Sequence, residues 1–308
     1  MPRIEAVPVG VPVQRGVPAA APGVGELDDS LPGESHRVAD VVHSLTGDVD
    51  VAASHGPGRY PMGQRPGAGG QGTMRIVGLL GGMSWESSIE YERLINEGVR
   101  RELGGTHSAD LVIRSFDFAA IESLQERGDW EEAGRILAGA ARRLQESGAE
   151  VIVLCTNTMH VVAPAIEAAI DVEFLHLADA TADAVRRVGV RRVALLGTRY
   201  TMEQDFYRGR LEGHGLEVLV PEEPDRTLVH DVIYDELVRG VVEERSRGAY
   251  LEVIDRLVDR GAEGVIAGCT EIELLVRPED VDLPYFPTTR LHAEAAVAAA
   301  LAAEPEAR

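Results

Sequence analysis

Past Met74, short runs of aliphatic residues alternate with longer stretches in which apolar positions recur every three or four residues. That alternation predicts strands buried on both faces, each followed by an amphipathic helix. RIVGLL, from Arg75 to Leu80, is such a strand, and Ser84 in the GGMSWESS that follows is placed to cap a helix reaching about Leu103. A strand is expected over Leu111 to Ser115. Asp129 reads as the N-cap of a helix carrying Trp130, Ala133, Leu137, Ala141 and Leu144 on one face. EVIVLCTNTMH, from Glu150 to His160, is a buried strand that delivers polar groups to its carboxyl end. Pro164 then suits the start of a helix to Ile170, and Phe174 to Leu177 is a short strand.

The scheme then repeats. RRVALLG (Arg191 to Gly197) mirrors RIVGLLG (Arg75 to Gly81), and TRYTMEQ takes the place of GMSWESS as the loop into a helix. The strand LEVLV, a helical region around His230 to Val242, a helix from Tyr250 to Arg260 and the strand of GVIAGCTEIELL complete the second copy. Strands alternating with helices imply parallel sheets joined by right-handed crossovers. The expected fold class is α/β: two similar parallel-sheet α/β domains related by an internal repeat, with the active site in the cleft between them. The expected boundaries are 1–73 for a Pro/Gly-rich leader, 74–176 plus 285–308 for the first domain, and 177–284 for the second. In this division the short strand near Phe286 and the alanine-rich helix from His292 return to close the first domain. The leader holds nine of the sixteen prolines and no sustained apolar period, so disorder is expected there, and Met74 is a candidate translation start.

The two polar strand ends raise a question of register. Gly148-Ala149-Glu150 opens one copy and Gly261-Ala262-Glu263 the other. Laid over each other without a gap, Ile152 to Leu154 match Val265 to Ala267, and Thr156 falls opposite Cys269. A one-residue gap pairs Cys155 with Cys269 instead. Side chains alternate along a strand, so Cys155 and Thr156 point in different directions and only one of them faces the cleft. The ungapped register keeps the core side chains inward and favours Thr156, leaving Cys155 as a small buried hydrophobe.

Composition narrows the function. A net charge of -21 over 308 residues argues against a nucleic-acid or anionic-membrane partner, both of which need clustered positive charge. No apolar run approaches the ~18 residues of a membrane span, and the N-terminus lacks a secretion signal, so the reading is cytoplasmic with two reduced cysteines. All 30 basic residues are arginine. The absence of lysine excludes an internal-aldimine pyridoxal-phosphate enzyme and a phosphate-loop lysine. Gly78, Gly81 and Gly82 do not make G-x-G-x-x-G, and no metal-ligand cluster is legible, so neither cofactor nor metal is expected.

GLLGGMS, CTNTMH, ALLGTRYTM and GCTEI, in this order on matching halves, resemble the cofactor-independent aspartate/glutamate racemase family, in particular its broad-specificity amino-acid racemase branch. The resemblance runs from about Met74 to Leu301. It implies a two-domain homodimer that binds a small amino-acid substrate, with one catalytic group from each domain on opposite faces of Cα. Typical members carry Cys directly before Asn-Thr; here Thr156 holds that place and Cys155 lies one residue early. The implied catalytic pair is Thr156 and Cys269. Met83, Thr198 and Thr201 are substrate contacts by resemblance, and Arg239, just before Gly240, stands where aspartate racemases carry a basic residue for the distal carboxylate. Aspartate or glutamate is the first expectation for the substrate, with neutral amino acids such as homoserine as the alternative. A relative of maleate isomerase or malonate decarboxylase and a catalytically silent amino-acid-binding protein stay open.

Removing a proton from Cα loads charge onto the adjacent carboxylate, which donors at a helix N-terminus stabilise. Asn157, Thr158, Thr270 and Glu271 occupy such strand-to-helix positions. Cys269 is the expected base, its thiol lowered from ~8.5 by the helix N-terminus that follows. Thr156 hardly ionises near neutral pH, so its expected role is to donate a proton or position water. His160 and Glu271 are candidates for tuning the strand-end groups, and Gln125, Arg127, Arg199 and Arg239 are placed at loops or helix ends that can face the cleft.

Overall fold

The computed structural model describes residues 74–302, and the leader expected over 1–73 lies outside the described residues. Two parallel four-stranded sheets make up the frame. The first contains β1 (Val77–Gly81), β2 (Leu111–Ser115), β3 (Val151–Leu154) and β4 (Glu173–Leu175) in the order β2-β1-β3-β4. The second contains β5 (Arg192–Gly197), β6 (Glu217–Leu219), β7 (Gly264–Gly268) and β8 (Tyr285–Pro287) in the order β6-β5-β7-β8. The two sheets share one topology, so the repeat in the sequence is a repeat in the fold.

Helices cover both faces of each sheet, which is why β1, β3 and β7 are buried throughout. Each aliphatic side chain fully buried in such a strand contributes ~1.5–3 kcal/mol. On one side of the first sheet, α2 (Phe118–Glu126) and α3 (Trp130–Glu146) bring Ile121, Leu124, Leu137 and Leu144 against Leu80, Ile152 and Leu154. On the other, α1 (Trp85–Leu103) contributes Tyr91, Ile95 and Val99 to a cluster with Val77, Leu79, Val151 and Val153. Between β3 and β4 lie a 3-10 turn (Thr158–Val162) and α4 (Ala163–Glu167). In the second half, α5 (Leu177–Arg187), α6 (Arg199–Glu203) and α7 (Asp205–Gly213) precede β6, and α8 (Asp225–Asp235), a 3-10 turn (Leu237–Arg239) and α9 (Glu244–Asp259) precede β7.

Ser84 and Asp129 cap α1 and α3 as expected, accepting the N–H groups of Ser87 and Glu132. Other boundaries move. The segment after Pro164 is helical only to Glu167, and α9 begins at Glu244 rather than Tyr250. The strand around Phe286 pairs with β7 and is an edge of the second sheet, not a part of the first half. Only the helix after it, α11 (Thr288–Leu301), reaches the first sheet, where Ala293, Ala296, Val297 and Ala300 pack on the α1 cluster. Gly98 permits that close approach, since a Cβ there would stand 2.6 Å from Val297 Cγ2.

The registers bear on the two strand ends. Leu80 pairs with Leu154, and Leu196 pairs with Ala267. Leu80 and Leu196 each precede the glycine that ends a matching strand, so Leu154 is equivalent to Ala267 and, two residues on, Thr156 to Cys269. The ungapped alignment is the one that the sheets follow.

Candidate active site

The site is built where β1, β3, β5 and β7 end. Gly82 turns the chain out of β1 with φ +84°, and a Cβ at this position would collide with the Phe116 backbone, so the turn requires glycine. Ser88 braces the turn: its Oγ accepts the Gly82 N–H at 2.7 Å and donates to the Ser84 carbonyl at 3.1 Å. The loop thereby lays Met83, Ser84 and Ser87 over the opposite half. From β5, Thr198 caps α6 by accepting the Thr201 N–H.

A narrow cavity of about 40 Å³ lies among these strand ends. Thr156 and Cys269 both line it, as do Met83, Gln125, Asn157, Thr158, Thr198, Thr270 and Glu271. Thr201 does not; it is fully buried behind Thr198, to which its hydroxyl is hydrogen-bonded at 3.2 Å. Arg239 does not either. Its side chain is 68% exposed and faces Asp235 at 3.7 Å, because the 3-10 turn directs the preceding residue, Val238, into the cavity. Arg199 is likewise turned outward, toward Thr227 and Glu203. Ser84, Ser87, Phe118, Ile233, Tyr234 and Val238 are further lining residues. Sequence reasoning missed their place here, although Ser84 and Ser87 fall inside the motif loop that carried Met83.

Cys269 stands against a carboxylate. Its Sγ donates to Glu271 Oε2 at 2.8 Å, while Glu271 Oε1 accepts from Ser84 Oγ at 3.0 Å and from Ser87 Oγ at 3.3 Å. The two serines come from the first half and Glu271 from the second. Burial, together with the Glu271 carboxylate beside it, raises the Cys269 thiol well above its ordinary range. The lowering expected from a helix N-terminus is not found, since the helix that follows, α10 (Ile272–Leu275), is about one turn long and the nearest charge is negative. The thiol therefore rests protonated and loses its proton most directly to Glu271 Oε2.

Cys155 is fully buried in the α1 cluster, where burial alone raises its thiol strongly. Thr156 faces the other way, into the cavity. Its carbonyl is fixed by His160: the Leu177 N–H donates to Nε2 at 3.2 Å, so Nδ1 carries the proton and donates to the Thr156 oxygen at 2.7 Å. His160 lies outside the cavity and packs against His176 and His292, with ring centroids at 4.6 and 5.8 Å. Burial keeps all three neutral, lowering His160 well below its ordinary range, His176 to about 3 and His292 to about 4.

Polar groups crowd the remaining wall. Asn157 Nδ2 donates to Thr288 Oγ1 at 3.2 Å, whereas its Oδ1 is buried with no partner. The Thr158 and Thr198 hydroxyls meet at 3.2 Å across the two halves, and Thr270 meets Thr289 at 2.9 Å. Among the described residues, no group of three or more His, Cys, Asp or Glu side chains is arranged to hold a metal ion. No helix among them is long and apolar enough to cross a membrane.

Comparison with known proteins identifies the family. Residues 80–296 match the family described as Asp/Glu/Hydantoin racemase. A structure of a candidate Asp/Glu racemase from Yersinia pestis is 54% identical, with a TM-score of 0.72, over 74% of this chain and 100% of that one. An aspartate racemase homologue from Pyrococcus horikoshii is 33% identical, with a TM-score of 0.66, over 74% and 99% of the two chains. The broad specificity amino-acid racemase RacX of Bacillus subtilis is 20% identical over 74% of this chain and 99% of its own length.

Proposed function

The chain belongs to the Asp/Glu/Hydantoin racemase family, and from that premise we propose that it racemises α-amino acids without a cofactor, using Cys269 and Thr156 on opposite faces of Cα. The observation that carries the reading is the placement of Cys269, hydrogen-bonded to Glu271, in one cavity with Thr156 while Cys155 is buried elsewhere. Transfer of the thiol proton to Glu271 Oε2 leaves a thiolate, which takes the Cα proton; the Thr156 hydroxyl, or water held by it, gives a proton to the other face, and the proton left on Glu271 passes through solvent to restore the hydroxyl oxygen, so that thiol, carboxylate and hydroxyl end as they began. The unpartnered Asn157 Oδ1 is the acceptor available to the substrate ammonium group. The Thr158 and Thr270 hydroxyls, at the strand ends, suit the carboxylate as its charge grows, each such donor being worth ~10²–10³ in rate.

About 40 Å³ holds little more than a water molecule, against the ~300 Å³ or more of a typical ligand pocket, so substrate entry requires the two halves to part. The bridges that must lengthen are Ser84 and Ser87 to Glu271 and Thr158 to Thr198. The expected homodimer belongs to the same reading and is supported by Trp85 and Ile89, which are 61% and 53% exposed and one turn apart on α1. A cytoplasmic setting rests on the sequence argument alone.

Incubation with single amino acids in deuterated buffer tests the activity. Exchange at Cα is expected, and Cys269→Ser should slow it by ~10²–10⁴. Mass loss in place of exchange would mark a decarboxylase, and binding without either would mark a silent binder.

A further inference from the structure

We propose that the cavity selects amino acids with an uncharged polar side chain, an amide or a hydroxyl, over aspartate and glutamate. The inference rests on the racemase reading for the chemistry at Cα, but the selection is a property of the cavity and is measurable by binding alone.

The strand-end groups serve the reacting centre. With Ser84 and Ser87 bonded to Glu271, what remains to meet a side chain is Met83, Phe118, Gln125, Ile233, Tyr234 and Val238, four apolar residues and two neutral polar ones. No arginine or histidine is among the lining residues, and the charged group that is among them, Glu271, is an anion already bonded by two serines and a thiol. The arginine expected to recognise a distal carboxylate, Arg239, is turned to solvent beside Asp235. A second substrate carboxylate would therefore be desolvated next to a buried anion with no cation to pair it.

The polar groups present suit a neutral partner. Gln125 is buried, and its Nε2 donates to the Met159 thioether, a weak acceptor that a substrate carbonyl can replace. No hydrogen bond among the described residues engages the Tyr234 hydroxyl, and burial, with Cys269 nearby, raises its pKa so that it stays a donor. The Tyr234 oxygen also accepts, so the pair offers the donor and the acceptor that an amide or hydroxyl uses. Sites that hydrogen-bond a neutral polar group reject partners that leave those groups unmatched.

Matched pairs of equal shape isolate the charge. Calorimetric titration of the full-length protein with L-asparagine against L-aspartate, and L-glutamine against L-glutamate, should favour the better-fitting amide over its acid by about 100-fold in Kd, the scale of an unpaired buried charge. The same preference should appear in kcat/KM for Cα exchange. Val238→Arg and, separately, Phe118→Arg each place a cation on the wall and should narrow or reverse the preference. Acids binding as well as or better than both amides, or a preference unmoved in folded Val238→Arg and Phe118→Arg proteins, overturns the proposal. Amide-selective binding without exchange at Cα leaves the selection intact and removes the racemase reading instead.

Discussion

Asn157 offers a test in which activity and stability move apart. Its Oδ1 is buried without a partner, a condition that costs ~1–3 kcal/mol in the free protein. Asn157→Leu keeps the shape, removes that orphan, and gives up one bond from Nδ2 to Thr288 Oγ1, worth ~1 kcal/mol. Thr288 keeps its own donor satisfied, because Oγ1 donates to the Ala267 carbonyl at 2.8 Å. The net is a gain of ~0–2 kcal/mol, or a Tm between unchanged and ~6 °C higher for a folded unit of this size. Catalysis should suffer. If Oδ1 accepts the substrate ammonium, losing that charge-assisted bond costs ~1.5–3 kcal/mol, about 10- to 150-fold in kcat/KM. Circular dichroism melts of the free variant, paired with initial rates over a substrate series, read both numbers. A Tm lowered by more than ~3 °C, or kcat/KM within twofold of wild type, would refute the assignment of Asn157 as a substrate acceptor held at the expense of stability.

Two further outcomes follow from the described side chains. His292, held to about 4 by burial, has an ordinary value near 6.5 in the unfolded chain, so the unfolded state binds the extra proton first as pH falls. Stability from this group is complete above about pH 6.5 and is lost progressively toward pH 4, by ~3 kcal/mol in all; His160 and His176 act in the same direction, and urea midpoints that stay flat between pH 7.5 and 5 would contradict this. Arg239→Ala removes an exposed residue whose pairing with Asp235 is worth ~0–1 kcal/mol, so KM for acidic and neutral amino acids should stay within a fewfold of wild type. A rise confined to the acidic substrates would return Arg239 to the pocket.

Much of this arrangement is legible in the sequence because it depends on local periodicity. The aliphatic runs ending at Gly81, Leu154, Gly197 and Gly268 mark the four central strands, and their shared order places Thr156 and Cys269 at equivalent ends. Caps at Ser84 and Asp129 are equally local. Contacts formed by docking the halves leave no such trace: Ser84 and Glu271 lie 187 residues apart, and nothing around either announces the hydrogen bond that joins them. The misplacement of Arg239 has the opposite scale. A 3-10 turn over Leu237–Arg239 decides which of two neighbours faces inward, and a motif match one residue away from Val238 cannot resolve that rotation. The raised thiol of Cys269 was hidden for a similar reason, since the sequence shows a helix start after it but not that the helix spans only Ile272–Leu275 or that Glu271 folds back to meet Sγ. The strand at Tyr285–Pro287 is too short to declare which sheet it joins.

The central claim is that one thiol and one hydroxyl, not two thiols, face Cα. Polarimetric progress curves from each pure enantiomer of a turned-over amino acid, for wild type, Cys269→Ser, Thr156→Ala and Cys155→Ala, test it most directly. Free enantiomers have equal energy, so kcat/KM must agree in both directions, and any preference for the L-form expected from the resemblance must appear as kcat and KM changing together. Cys269→Ser should lose ~10²–10⁴ in rate, Thr156→Ala should be severely impaired, and Cys155→Ala, which trims a buried side chain outside the cavity, should stay within a fewfold of wild type. Loss of activity in Cys155→Ala as deep as in Cys269→Ser, with Thr156→Ala close to wild type, would contradict the account and make the protein a two-thiol racemase.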